Sequence, residues 1–167
     1  MPVAYERPVG EGEYISVGNN AVGRAAQELT ERVKADHELL FGSIYRSAIA
    51  RQDRNRARVQ GLVGLRPNWD SYGAPAPNNR AASNAIRVLN LLQSLNLEPT
   101  GILASAEGGI GICFIRGERY ADIECSNEGE VLGVHYAGAQ MPALLETDGT
   151  DVSILAALGR IRDHIRG

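Results

Sequence analysis

Few residues in this chain have types and spacings that could do chemistry, and the clearest are carboxylates. Asp122 and Glu124 alternate along a β-prone run, so both point to one sheet face about 7 Å apart. Two carboxylates so placed could divide acid and base work, and Asp70 is a third candidate for a small hydrolase. The same alternation also writes the solvent face of an antiparallel sheet. No Gly-x-Ser-x-Gly elbow is present to supply a nucleophile, so the enzyme reading stays an alternative and no residue is assigned as catalytic. Cys113 and Cys125 belong to opposite faces of the expected hairpin, which argues against a disulfide. Neither sits in a Cys-x-x-Cys pair. His37, His135 and His164 fall on separate elements without ligand spacing, so no metal is expected. Gly18 to Gly23 lacks the Lys-Ser/Thr of a phosphate loop. Gly108-Gly109-Ile110-Gly111 opens a strand and not a helix, so it offers no helix N-terminus to a pyrophosphate. No cofactor is expected.

Arg51, Arg54 and Arg58 stand at steps of three and four, which puts them on one helix face. Guanidinium forks there could meet phosphates, making nucleic-acid association a second alternative. No aromatic residue interleaves, and no DNA-binding pattern surrounds the run, so base readout has no support. The whole chain, at a formal net charge of −3, has no general attraction to nucleic acid or to an anionic membrane. The charge is split. Residues 21 to 66 hold nine Arg and Lys against five Asp and Glu, a balance of +4. Residues 101 to 150 hold two against eight, a balance of −6.

The run Asn68-Trp69-Asp70-Ser71-Tyr72-Gly73-Ala74-Pro75-Ala76-Pro77 contains the only tryptophan. Its Gly and Pro residues exclude regular structure, while Trp69 and Tyr72 want burial or a partner. Asp70 can accept from backbone N–H groups just downstream, and Gly73 permits a positive φ. Two roles follow. Trp69 pins the loop into the core, or Trp69, Asp70 and Tyr72 face a protein partner. Asn68 to Pro75 resembles the NWD-G/S-YGA-x-P segment of small, largely uncharacterised bacterial proteins. In these an Ala- and Leu-rich helix follows, then an acidic-Gly-Gly-apolar hairpin. Here the counterparts are Ala81 to Leu97, Glu107 to Phe114 and Ala121 to Cys125, with Phe114 in the place of the usual tryptophan and Ser71 in that of the commoner glycine. The resemblance covers about residues 62 to 136 and implies an α+β fold, with no activity attached.

The elements that must position these residues divide the chain in three. Residues 1 to 20 read as an extended arm, in which Tyr14 to Val17 is β-prone and Asn19 or Asn20 is an N-cap. Residues 21 to 66 read as a helical region. There Val22, Ala26, Leu29, Val33, Leu40, Ile44 and Ala48 form one narrow apolar stripe, interrupted by His37. Gly42 offers a break. Residues 67 to 167 read as an α+β core of the same single domain. It starts with a helix from Asn78 or Asn79 to about Leu95. An antiparallel meander of three or four strands follows, and then a last helix with the stripe Ile154, Leu158, Ile161 and Ile165. A turn at Gly117-Glu118 pairs Phe114 with Ala121, Ile112 with Ile123 and Ile110 with Cys125. In the next strand Leu132, Val134 and Tyr136 are expected to face inward.

At 167 residues, 44% hydrophobic and 22% charged, the chain can build a core without disulfides or metal. It has no run of 18 apolar residues and no basic-then-apolar leader in its first residues, so a cytoplasmic location without membrane contact is expected. Of its 17 basic residues only Lys34 is lysine, which suggests a GC-rich bacterial source. The expected function is a non-catalytic protein-interaction module. An antitoxin, immunity or defence-accessory role is its sharpest form, and the 22–48 helix is offered for homo-oligomerisation.

Overall fold

The structure is a computed structural model that describes residues 17–167, with side chains from Gly23 onward. The chain is α+β: helix α1 (Val17–Val63), helix α2 (Asn79–Ser94), strands β1 (Gly101–Ala104), β2 (Gly109–Arg116), β3 (Arg119–Ser126), β4 (Val131–Ala137) and β5 (Ala143–Glu146), then helix α3 (Asp151–Arg166). It divides into two compact units, Met1–Ser47 and Ala48–Gly167. The boundary falls inside α1, so the last part of that helix belongs with the sheet. Most of the 1–20 arm lies outside the described residues. Its end does not, and α1 already runs through Asn19 and Asn20, so neither is the N-cap. Gly42 does not break the helix either, because a single glycine costs only about 1 kcal/mol in a helix interior.

In the first unit, α1 presents Leu29, Val33, Leu39, Leu40, Phe41, Ile44 and Tyr45 to solvent, each about two-thirds exposed. No other described element belongs to that unit.

In the second unit, the strands form one antiparallel sheet in the order β1-β2-β3-β4-β5. The β2–β3 register is the expected one, with Phe114 opposite Ala121, Ile112 opposite Ile123 and Ile110 opposite Cys125. These six side chains are fully or almost fully buried. Over them pack Ala81, Ala85, Val88 and Leu92 of α2, Ile154, Leu158 and Ile161 of α3, and Val59 from the end of α1. The helices therefore sit on the inner face alone. α2 starts where it does because the Asn78 side chain accepts from the N–H groups of Arg80 and Ala81 at 2.9 and 3.0 Å. Thr150 caps α3 through Ser153 N–H.

Two expectations about the sheet are corrected. A fifth strand, β5, extends the expected three or four, and it sends Leu145 inward. Leu132, Val134 and Tyr136 face outward, not inward. The β3–β4 turn fixes this: Ser126 N–H donates to Glu130 O and Gly129 N–H to Ser126 O, which sets Val131 opposite Cys125 and Gly133 opposite Ile123. With a side-chain period of two, Val131, Gly133 and His135 take the inner face. Gly133 belongs there for want of room, since a Cβ at that position would lie 3.2 Å from the Leu145 Cβ. No helix among the described residues is long and apolar enough to cross a membrane.

Candidate functional site

Three surfaces of the molecule carry the residues singled out by the sequence. The first is the Trp69 loop. Asp70 Oδ1 accepts from Tyr72 N–H at 2.9 Å and Ala74 N–H at 3.1 Å, and Asn68 Oδ1 accepts from Gly73 N–H at 2.7 Å. The expected Asx turn is present. These donors favour the ionised form and hold the Asp70 carboxyl below the usual carboxylate range, the Tyr72 N–H most strongly. A carboxylate engaged in this way shapes backbone and is a poor acid or base. Asn68 and Ser71 join Gly73 at positive φ, at 64° and 66°, a conformation glycine adopts without strain. Trp69 is not in the core: it is 36% exposed, and its indole N–H reaches Pro75 O at 3.3 Å. Tyr72 is 94% exposed. The loop is instead held at its exit by Asn127 in the β3–β4 turn, whose Oδ1 accepts from Asn78 N–H at 2.8 Å and whose Nδ2 donates to Ala76 O at 3.0 Å.

The second surface is the outer face of the sheet. The register places Asp122 opposite Cys113 on one side and Val134 on the other, with Tyr120 between Ile115 and Tyr136 and Glu124 between Gly111 and Leu132. Asp122 and Glu124 thus share a face as expected. The Tyr120 hydroxyl donates to Asp122 Oδ2 at 2.8 Å, the Cys113 sulfur lies 3.7 Å from the Tyr120 hydroxyl oxygen, and the Tyr120 and Tyr136 rings lie 5.0 Å apart. Burial pushes the Asp122 carboxyl up, and the Tyr120 hydrogen bond opposes that. Burial also pushes up the Tyr120 hydroxyl and the Cys113 thiol, and takes the Cys125 thiol on the inner face to about 12. Neither sulfur is a thiolate at neutral pH, so neither is an activated nucleophile. Both cysteines are free. Asp70 is held in the Trp69 loop by backbone donors, whereas Asp122 and Glu124 lie on the outer face of β3.

The third surface is a cleft of about 160 Å³ between the 48–56 part of α1, α2 and residues 96–99. Ile86, Leu89, Leu92 and Leu97 line it together with Arg51, Gln52, Asn55 and Arg56. Gln52 Nε2 donates to Asn90 Oδ1 at 3.2 Å, and Arg51 Nε pairs with Glu98 at 2.6 Å. Of the three arginines suggested for phosphate, then, Arg51 already has a carboxylate partner. Arg54 and Arg58 are exposed.

Two histidines that the sequence keeps apart do meet. The His135 and His164 rings are 4.5 Å apart, and His164 Nε2 lies 2.9 Å from Tyr136 O. Among the described residues no group of three or more metal-ligating side chains comes together. Sequence reasoning also missed Asn127, Tyr120 and Tyr136. Nothing local marks Asn127 beyond its turn position, while the two tyrosines could have been found by carrying the β2–β3 register through the Asn127–Glu130 turn. Comparison with known proteins finds no matching family model, no matching curated protein and no matching solved structure.

Proposed function

We propose that this chain is a non-catalytic protein-interaction module that self-associates through α1 and presents its sheet unit to a partner. The observation carrying this reading is the exposed stripe of α1. Leu29, Val33, Leu40 and Ile44 are each 60–65% exposed, and no other described element of that unit is there to cover them. A lone helix gains most of its stability in water from packing its apolar face, and an exposed apolar strip of this length, broken at His37, is the mark of an interface. A second copy fits it because the spacing repeats: Leu29 recurs as Leu40 and Val33 as Ile44, eleven residues on. An eleven-residue period keeps one seam facing a like helix with slight right-handed supercoiling. His37, stacked on Phe41 at 4.3 Å, is the polar position that would fix the register of such a seam.

The antitoxin, immunity or defence-accessory role, which draws on the small-protein resemblance together with the split charge of the chain, is the form of this function in which the partner is another protein of the same cell. The test replaces two stripe residues that touch no core. Leu29→Asp with Val33→Asp should give a folded monomer by sedimentation, with the thermal unfolding of the sheet unit unchanged. A double variant that keeps the wild-type mass would reject α1 as the seam.

A further inference from the structure

The sheet has two apolar faces and the helices of its unit cover one. On the outer face Leu103 is 48% exposed, Ile115 55%, Leu132 38% and Leu144 60%. Between them lie the Tyr120–Tyr136 stack, Cys113 and Val134. All the formal charge on this face has one sign. Asp122, Glu124 and Glu146 have outward parity, whereas Arg116 and Arg119 at the strand ends have inward parity and reach the carbonyls of Arg166 and His164 in α3. The centre is Asp122, on the middle strand. One of its oxygens is held by Tyr120, and it takes part in no ion pair among the described residues. A partly desolvated carboxylate without a counter-charge is costly by itself and becomes favourable when a cation arrives with apolar surface around it. The two tyrosine rings beside it offer further attraction to that cation.

From this we infer that the outer face is a docking surface for an amphipathic, cationic helix of a partner protein, with an Arg or Lys of that helix seated on Asp122 between Tyr120, Tyr136 and Val134. A helix is the occupant because it completes the second layer of a sheet as α2 and α3 complete the first. The face from β1 to β5 is about 19 Å wide at ordinary strand spacing, which a helix of about 13 residues spans. The inference rests on the reading of the chain as an interaction module, yet it uses a surface separate from α1, so the two can fail independently.

The test uses the full chain and two synthetic probes. One is an 18-residue helical peptide with a leucine stripe flanked by arginines, and the other is its twin with glutamates for the arginines. Fluorescence anisotropy should show the arginine peptide binding at least tenfold more tightly than its twin. Asp122→Asn should weaken it about tenfold, the scale of one partly buried charge contact, and Leu144→Lys should weaken it similarly. Asp148→Asn, an exposed carboxylate in the loop before α3, should leave binding within twofold, and so should Leu29→Asp with Val33→Asp. Equal binding of the two peptides, no binding of either, or an Asp122→Asn protein within twofold of wild type would overturn the inference. Loss of binding in the α1 variant would also overturn it, by placing the peptide on α1.

Discussion

Asn127→Ala is the most informative single substitution for how this fold holds the Trp69 loop. The amide makes two hydrogen bonds across 49 and 51 residues of chain, one from Asn78 N–H at 2.8 Å and one to Ala76 O at 3.0 Å. The third link, Asn78 Nδ2 to Asn127 O, uses main chain at position 127 and survives the change. Each lost bond is worth about 1 kcal/mol net, so Asn127→Ala should destabilise the sheet unit by about 2 kcal/mol. For a unit of this size that lowers Tm by about 8 °C. Asn127→Asp separates the two bonds. It keeps the acceptor for Asn78 N–H and removes the donor to Ala76 O, so it should lose at least half of the effect, with added repulsion between carboxylate and carbonyl. Thermal and urea unfolding followed by circular dichroism give the energies. Emission from Trp69, the only tryptophan, reports the loop and should move to longer wavelength in both variants. If Asn127→Ala stays within 0.5 kcal/mol of wild type, on the scale of an ordinary surface change, the idea that this side chain closes the loop is wrong.

Three further outcomes are expected. At Gly108, where φ is 87°, a Cβ would lie 2.7 Å from Pro75 Cγ and 2.8 Å from Asn127 Nδ2. Gly108→Ala should therefore cost about 2 kcal/mol, while Gly61→Ala, on an open stretch of α1, should stabilise by up to about 1 kcal/mol. Phe114, 1% exposed, should lose about 3–5 kcal/mol on truncation to Ala. Trp69→Ala should lose only about 2 kcal/mol, because 36% of the residue is already in solvent, and a reversal of that order in urea unfolding counts against the placement of Trp69. Burial, then His164 and Arg160, hold the His135 imidazole below its ordinary value. The unfolded chain thus binds the proton more readily, and stability should be complete above about pH 6.5 and fall as pH drops below it. Urea midpoints between pH 7 and 5 should show that slope, and His135→Gln should flatten it.

The parts of the fold that the sequence made legible are those governed by local rules. The Gly117-Glu118 turn fixed the β2–β3 register, the Asx geometry of Asp70 followed from its place before Tyr72 and Gly73, and the α3 stripe came from its spacing. The misreadings came where side-chain size was followed in place of a turn, or where a distant neighbour decided. Leu132, Val134 and Tyr136 look like an inward set because they are the larger apolar residues of their strand. Yet the turn at Asn127 to Glu130 puts Val131, Gly133 and His135 inside, where a Cβ at 133 would crowd Leu145. That same displacement creates the apolar outer face, so the surface was hidden by the error that concealed its register. Of the two roles open to Trp69, the core anchor drew its support from size alone, and nothing near residue 69 announces that Asn127 secures the loop. The meeting of His135 with His164, and of Arg51 with Glu98, joins elements far apart in the chain. No periodicity encodes such contacts.

The central claim is that α1 joins copies of this chain, and the molar mass of the wild type tests it most directly. Sedimentation equilibrium at micromolar to tens-of-micromolar concentration should give a mass at least twice 18.0 kDa, falling toward the single-chain value on dilution. A mass of 18.0 kDa across that whole range would contradict the account.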